Sequence, residues 1–301
     1  MSAPATRRLR AALEALEATT DPEARLAADP LGFVHRYDRA ADQEVAAVFA
    51  AGLAYGRVAG FRPTIQAILD HADLRGGPRA WLRSLDARDD AALARLNHRW
   101  TRGTDLARMA HALAQVLDER GRLGAIAEAA DDPSAPTLAP ALEAVVQALR
   151  HAAATQAGAP FATLPRGFRY LLPAPSGGSA CKRWCMLLRW MVRPPGTGAS
   201  GVDLGIWDLD PARLVMPLDT HVRRLSWFTG LTDRRDASWR TAVAITDALR
   251  ALDPDDPLRH DFALAHLGIS GACQSQFVRD ICGECSLASI CRVARGARSA
   301  R

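Results

Sequence analysis

The 301-residue chain has material for one large domain or two small ones. No apolar run approaches membrane-spanning length and no apolar signal core follows the N-terminal arginines, so the composition argues against a membrane or secreted protein and reads as cytoplasmic. A net charge of +5 and a pI near 9.1 permit a nucleic-acid partner, and the excess is local: residues 173–301 hold 17 Arg plus Lys against 13 Asp plus Glu, whereas residues 1–172 hold 21 against 20.

The chain reads as helical almost throughout, with alternating strand patterns nearly absent and no internal repeat. Val45, Val48, Phe49 and Leu53 recur at helical spacing, with Asp42 placed as a cap. At the end of that helix lies Gly52-Leu53-Ala54-Tyr55-Gly56-Arg57, where Tyr55 offers a ring for stacking and Arg57 a phosphate contact; a packed helix end with one solvated arginine is the plainer reading. Asn97-His98-Arg99-Trp100 gathers polar, basic and aromatic groups on what reads as a short helix, suited to packing or backbone contact. Leu106, Met109, Leu113, Val116 and Leu117 mark a second amphipathic helix, residues 131–136 a loop, and Leu138, Leu142, Val145, Val146 and Leu149 a third helix.

Next comes Leu172-Pro173-Ala174-Pro175-Ser176-Gly177-Gly178-Ser179-Ala180-Cys181-Lys182-Arg183, a turn-rich stretch opening a helix. Backbone N–H groups at such a helix start, with Gly177 and Gly178 allowing close approach, suit a phosphate. On this helix Trp184 and Trp190 read as core, and Cys181 and Cys185, one turn apart, as buried thiols. Lys182 is the single lysine of the chain against 37 arginines. Where generic surface cations have become Arg, a retained Lys points to chemistry Arg cannot do, since Lys can shed its proton when desolvated and attack carbon. The alternative is an ordinary surface residue at a helix start. Residues 194–203, rich in Pro and Gly, read as a mobile loop and residues 292–301 as a frayed basic tail.

Pro217-Leu218-Asp219-Thr220-His221-Val222-Arg223-Arg224-Leu225 is an apolar lead, an acid placed to cap a helix, and the helix itself. Beyond it Cys273, Cys282, Cys285 and Cys291 are spaced C-x8-C-x2-C-x5-C. In a reducing compartment four thiols so close point to a tetrathiolate metal site, an iron–sulfur cluster or a zinc. Zinc usually draws paired short knuckles, and only Cys282 and Cys285 form one.

The order of these features resembles the helix-hairpin-helix DNA glycosylases of the endonuclease III type. In that family an apolar stretch delivers a catalytic Asp within Val-Asp-Thr-His, and a Cys-x6-Cys-x2-Cys-x5-Cys loop closes the protein around a [4Fe–4S] cluster. Here the last two cysteine spacings match and the first is two residues longer. Asp261-Phe262-Ala263-Leu264-Ala265-His266-Leu267-Gly268 resembles the helix that leads into the family's cluster. The resemblance is closest over residues 215–291; upstream the chain is more similar to an uncharacterised bacterial branch of the superfamily. The family's hairpin carries Leu-Pro-Gly-x-Gly and, in bifunctional members, a Lys soon after. In this chain Ala174 replaces the first glycine, and the Gly pair and Lys182 fall later. Lys182 and Asp219 are 37 residues apart, further than in the family.

The resemblance implies an all-α, two-lobed glycosylase-like fold: residues 41–214 as a helical barrel with a hairpin-like motif, residues 1–40 and 215–301 as a second lobe carrying the cluster, and a DNA cleft between them. It implies a monomeric base-excision DNA glycosylase, with or without lyase activity at abasic sites, acting on a flipped base in double-stranded DNA, nucleoid-associated and without a membrane partner. Asp219 and Lys182 would be catalytic. Cys273, Cys282, Cys285 and Cys291 would hold a [4Fe–4S] cluster, zinc being the alternative. Gly177, Gly178, Ser179, Arg183, Tyr55, Arg57, Arg279 and Arg292 would contact DNA. Two other readings stay open: a non-catalytic DNA-binding protein on the same scaffold, and a metal-stabilised helical protein that binds another nucleic acid or partner.

Overall fold

The computed structural model describes residues 3–19, 21, 24, 26–27, 29–196 and 201–299. Among them the chain is predominantly helical, as expected, with one antiparallel pair of two-residue strands and an isolated bridge between Ser179 and Ser238. The elements are α1 (Ala3–Ala18), α2 (Leu31–Val34), α3 (Ala40–Leu53), α4 (Val58–Leu74), α5 (Pro78–Arg83), α6 (Ala87–Ala94), β1 (Asn97–His98), β2 (Thr101–Arg102), α7 (Gly103–Arg120), α8 (Leu123–Ala129), α9 (Ala139–Ala157) and α10 (Arg166–Leu171), followed by α11 (Lys182–Val192), α12 (Thr220–Thr229), α13 (Trp239–Arg250), α14 (Asp261–Ile269), α15 (Arg279–Glu284) and α16 (Arg292–Ser299). No helix among the described residues is long and apolar enough to cross a membrane.

The chain divides into two compact units. The mid-chain unit comprises Leu26–Gly177 and Ile206–Leu209. Its core is built by the periodic residues: Phe49 of α3, Ile65 and Ile68 of α4, Leu113 and Val116 of α7, and Leu142, Val145 and Leu149 of α9 are all buried. The short segment 206–209 is drawn in by Glu44, which is buried and accepts from the backbone N–H groups of Leu123 (3.1 Å) and Gly124 (3.0 Å) at the start of α8 and from Trp207 Nε1 (2.6 Å). Burial raises the Glu44 carboxyl above its ordinary range; these three hydrogen bonds pull the other way and offset part of the rise.

The cysteine-bearing unit comprises the described residues of Met1–Arg25, Gly178–Gly205 and Asp210–Arg301. The division differs from the sequence expectation of boundaries at 40 and 214: residues 26–40 belong to the mid-chain unit, and residues 178–205 belong with the C-terminal helices. The reason is visible on α11. Arg193, its buried C-cap, binds Asp203 (2.7 Å) and Asp256 (3.2 Å), and its buried Arg189 binds Asp203 (3.3 Å) and Asp261 of α14. Buried guanidinium groups must sit among their carboxylates, so α11 goes where those carboxylates are. In the same unit α1 buries Leu9, Leu13 and Leu16, and its Glu17 meets Arg259 and His260 just ahead of α14.

Four local expectations are corrected. Asp42 lies inside the first turn of α3 and does not cap it; its Oδ1 accepts from Arg79 N at 2.8 Å, capping α5 instead. Asn97–Trp100 is not a helix but a β-turn structure, with Asn97 paired to Arg102, His98 to Thr101, and Arg99 at φ 56° between them. Of the stretch read as a mobile loop, residues 197–200 lie outside the described residues, and Asp203 is fixed by Arg189 and Arg193 at 2 % exposure. The basic tail is helical as far as Ser299, and Arg292 pairs with Asp233 at 2.5 Å.

Candidate functional site

The apolar lead Leu214–Leu218 is buried and held against α13, where Thr246 Oγ1 accepts from Met216 N at 3.0 Å and Arg250 Nε donates to Ala212 O at 3.2 Å. That fixed lead delivers Asp219 as the N-cap of α12. Asp219 Oδ1 accepts from Val222 N at 2.7 Å, the residue is half-buried, and Oδ2 has no protein partner among the described residues. One oxygen thus does the capping, and the other is uncommitted. Two residues on, His221 packs on α14: a Cβ built on Gly268 would lie 2.4 Å from His221 Cβ, so only glycine lets the two helices pass at that point. The two segments that carried the resemblance, Asp219–Leu225 and Asp261–Gly268, therefore meet.

Lys182 is the first residue of α11 in the same unit, half-buried, so that Lys182 and Asp219 both stand at helix N-termini. The approach to Lys182 is a genuine turn. Arg150 Nε and Nη2 donate to Leu172 O at 3.0 and 2.6 Å, and Glu143 of α9 accepts from Ser176 N (3.0 Å) and Ser176 Oγ (2.7 Å). A 3-10 turn over Pro175–Gly177 follows, then Gly178 at φ 74°, a left-handed backbone that favours glycine. Gly177, Gly178 and Ser179 are exposed, and a Cβ on either glycine would meet nothing within 4 Å, so this turn offers open backbone. Ser179 Oγ accepts from Cys181 N at 3.2 Å, and Gly178 O accepts from Trp239 N at 3.0 Å. Arg183, read as a phosphate contact, is instead buried at 6 % exposure. Trp184 and Trp190 are core residues, and Cys181 and Cys185 are buried thiols, burial driving the Cys185 thiol well above its ordinary value.

Tyr55 is built into an aromatic cluster. Its hydroxyl donates to His98 O at 2.8 Å; since a phenol has one proton, the 2.7 Å contact with Thr101 is a bond donated by the Thr101 hydroxyl. Its ring stacks on Trp100 (5.5 Å, 21°) and meets Tyr170 edge-on (5.1 Å). Trp100 and Tyr170 are 47 % and 39 % exposed, Arg99 lies 4.9 Å from the Trp100 ring centre, and Arg57 and Arg102 are exposed too. Sequence reasoning missed Tyr170, whose only sequence signal was an aromatic directly after Arg169.

The four C-terminal cysteines line one cavity, together with Phe228, Ile281, Ala288 and Ala294. Burial pushes the Cys285 thiol up, the Leu287 N–H pulls it down, and the neighbouring Cys273, Cys291 and Cys282 push it up again. Cys285 is thus near the other three thiols. No group of three or more His, Cys, Asp or Glu side chains among the described residues stands arranged around a single ion. Arg279 is exposed at the start of α15, and Arg292 opens α16.

These features define a helical protein with a capped, half-exposed aspartate, a lone lysine at a helix start and a four-thiol cavity in one unit. A family model described as a protein of unknown function (DUF2400) matches residues 29–270, most of the chain, and the chain belongs to that family. The match stops short of Cys273. No curated protein and no solved structure matches the chain.

Proposed function

We propose that the protein is a base-excision DNA glycosylase of the helix-hairpin-helix type, acting on a flipped base in duplex DNA. The observation that carries this reading is Asp219: a carboxylate fixed by a helix cap through one oxygen, with the second oxygen uncommitted, in the unit that also carries Lys182 and the four-thiol cavity. As the base departs, positive charge develops at the sugar C1′, and a fixed anion there is worth most because it need not reorganise. The same carboxylate orients a water for attack, or takes a proton from the Lys182 amine. With lysine as nucleophile the sugar becomes a Schiff base, and strand cleavage by β-elimination follows. The exposed Gly177–Ser179 turn suits a DNA phosphate, and the Tyr55–Trp100–Tyr170 rings suit the bases next to the flipped one.

Four thiols on one cavity support a [4Fe–4S] cluster held by Cys273, Cys282, Cys285 and Cys291, with zinc as the alternative ion. Bound there it would tie α15 and α16 to α12 and leave the excision chemistry to Asp219 and Lys182.

The test is a panel of duplexes each carrying one damaged or mismatched base. Wild type should release a base from at least one, and Asp219→Asn should slow release at least about a hundredfold while duplex affinity holds. Because Lys182 is the only lysine, borohydride trapping that disappears in Lys182→Gln would mark the lyase. Excision that persists in Lys182→Gln without trapping would mark a monofunctional enzyme, and full excision by Asp219→Asn would remove the aspartate from the chemistry.

A further inference from the structure

A second polar site lies on the outer side of α12. Arg223, Arg224, Trp227, Phe228 and Arg235 wall an open hollow of about 220 Å³. Each guanidinium is held by one contact. Arg223 donates to the Arg235 carbonyl, Arg224 donates to Ser275 Oγ, and the Arg235 guanidinium lies 4.1 Å from the centre of the Trp227 ring. Arg292 lies 5.1 Å from the same ring. None of the three wall arginines is ion-paired to a carboxylate among the described residues. The nearest acids in sequence are engaged elsewhere: Asp219 caps α12 through Oδ1, Asp233 pairs with Arg292 and Asp236 with Arg234 (3.1 Å). Three positive charges therefore line a hollow, and among the described residues none of them is neutralised by its own ion pair.

We propose that this hollow binds a phosphate monoester, the terminal phosphate of a nucleotide or of a nucleic-acid strand. Guanidinium groups present planar forks that match phosphate oxygens two at a time, and stacking on an indole leaves the N–H edges of Arg235 free to do so. The choice of monoester follows from charge. A phosphodiester or carboxylate brings a single negative charge, whereas a monoester carries about −1.5 to −2 at neutral pH and offsets more of the three. The pre-set positions of the arginines lower the entropy cost of binding. The proposal does not depend on the excision reading.

The test measures fluorescence anisotropy of one short labelled oligodeoxynucleotide, with and without a 5′-phosphate, with inorganic phosphate as competitor. Wild type should bind the phosphorylated strand roughly tenfold more tightly, and inorganic phosphate should erase that difference. Competition by inorganic phosphate with no strand preference would identify free phosphate, rather than a strand end, as the source of the monoester. Arg223→Gln and Arg235→Gln should each abolish the preference. Arg235 is exposed and, its stacking on Trp227 apart, its side chain makes no hydrogen bond or ion pair among the described residues, so Arg235→Gln keeps the test valid should Arg223→Gln disturb the fold. Equal binding of both strands with no effect of inorganic phosphate, or a preference that survives in both variants, would overturn the proposal.

Discussion

An Asn at position 219 would keep the hydrogen-bonding capacity of Asp219 and lose its charge. Asn caps helices as well as Asp does, so Asp219→Asn should unfold within about 1 kcal/mol of wild type in a denaturant titration even as excision collapses. The pairing of intact stability with lost turnover is the signature that separates chemistry from capping. Asp236 offers a second residue-level test. Hydrogen bonds from the Ser238 and Thr241 hydroxyls hold its carboxyl at about 2, below the ordinary 3.8. A depressed carboxyl contributes stability that is fully present above pH 3.8 and is lost as pH falls through about 2. In Ser238→Ala the Asp236 carboxyl should titrate closer to 3.8 when followed by NMR; an unchanged value would mean the hydroxyl does not hold it. The basic hollow shows why some site residues escape a reading of the sequence. Arg223, Arg224 and Arg235 look like ordinary surface charges until the turn after α12 folds Arg235 back over Trp227.

At the scale of elements, α11 rests on a buried charge network. Arg189 and Arg193 are one turn apart, 3 % and 1 % exposed, and both bind Asp203. Asp203→Ala should cost about 3–5 kcal/mol in a guanidinium titration, because it leaves two buried cations short of a partner; a cost below about 1 kcal/mol would mean the network relaxes or hydrates. Helices with strong periodicity were legible: the patterns over 106–117 and 138–149 fall on α7 and α9. What was not legible is non-local. A carboxylate in the right place for a cap is indifferent to which helix it caps, and Asp42 caps α5. A two-residue strand carries no periodicity, so Asn97–His98 gave no sign of pairing. The loop Asp203, lying among Pro and Gly, gave no hint of its arginines. Of the candidate site, the Asp219 cap and the thiol grouping were readable because each is local in sequence. The burial of Arg183 was not, because it depends on how α11 packs.

For the molecule as a whole, the metal is the decisive measurement. Protein purified without oxygen should be brown, absorb broadly in the visible and contain iron in proportion to a four-iron cluster. Cys282→Ser and Cys285→Ser should each remove the colour and lower the melting temperature. Zinc in place of iron would replace the cluster assignment and leave the helical architecture standing.

The chain passes from one compact unit to the other four times, near 25, 177, 205 and 209. The last excursion places Trp207 on Glu44 and Asp208 N on Glu128, at 3.0 Å for the latter. No single cut in the gene separates the units. A fragment ending at Gly177 would strip Glu44 of its indole donor, and one starting at Gly178 would carry Ile206–Leu209 with nowhere to bury Trp207. A truncated recombinant version must therefore keep both units.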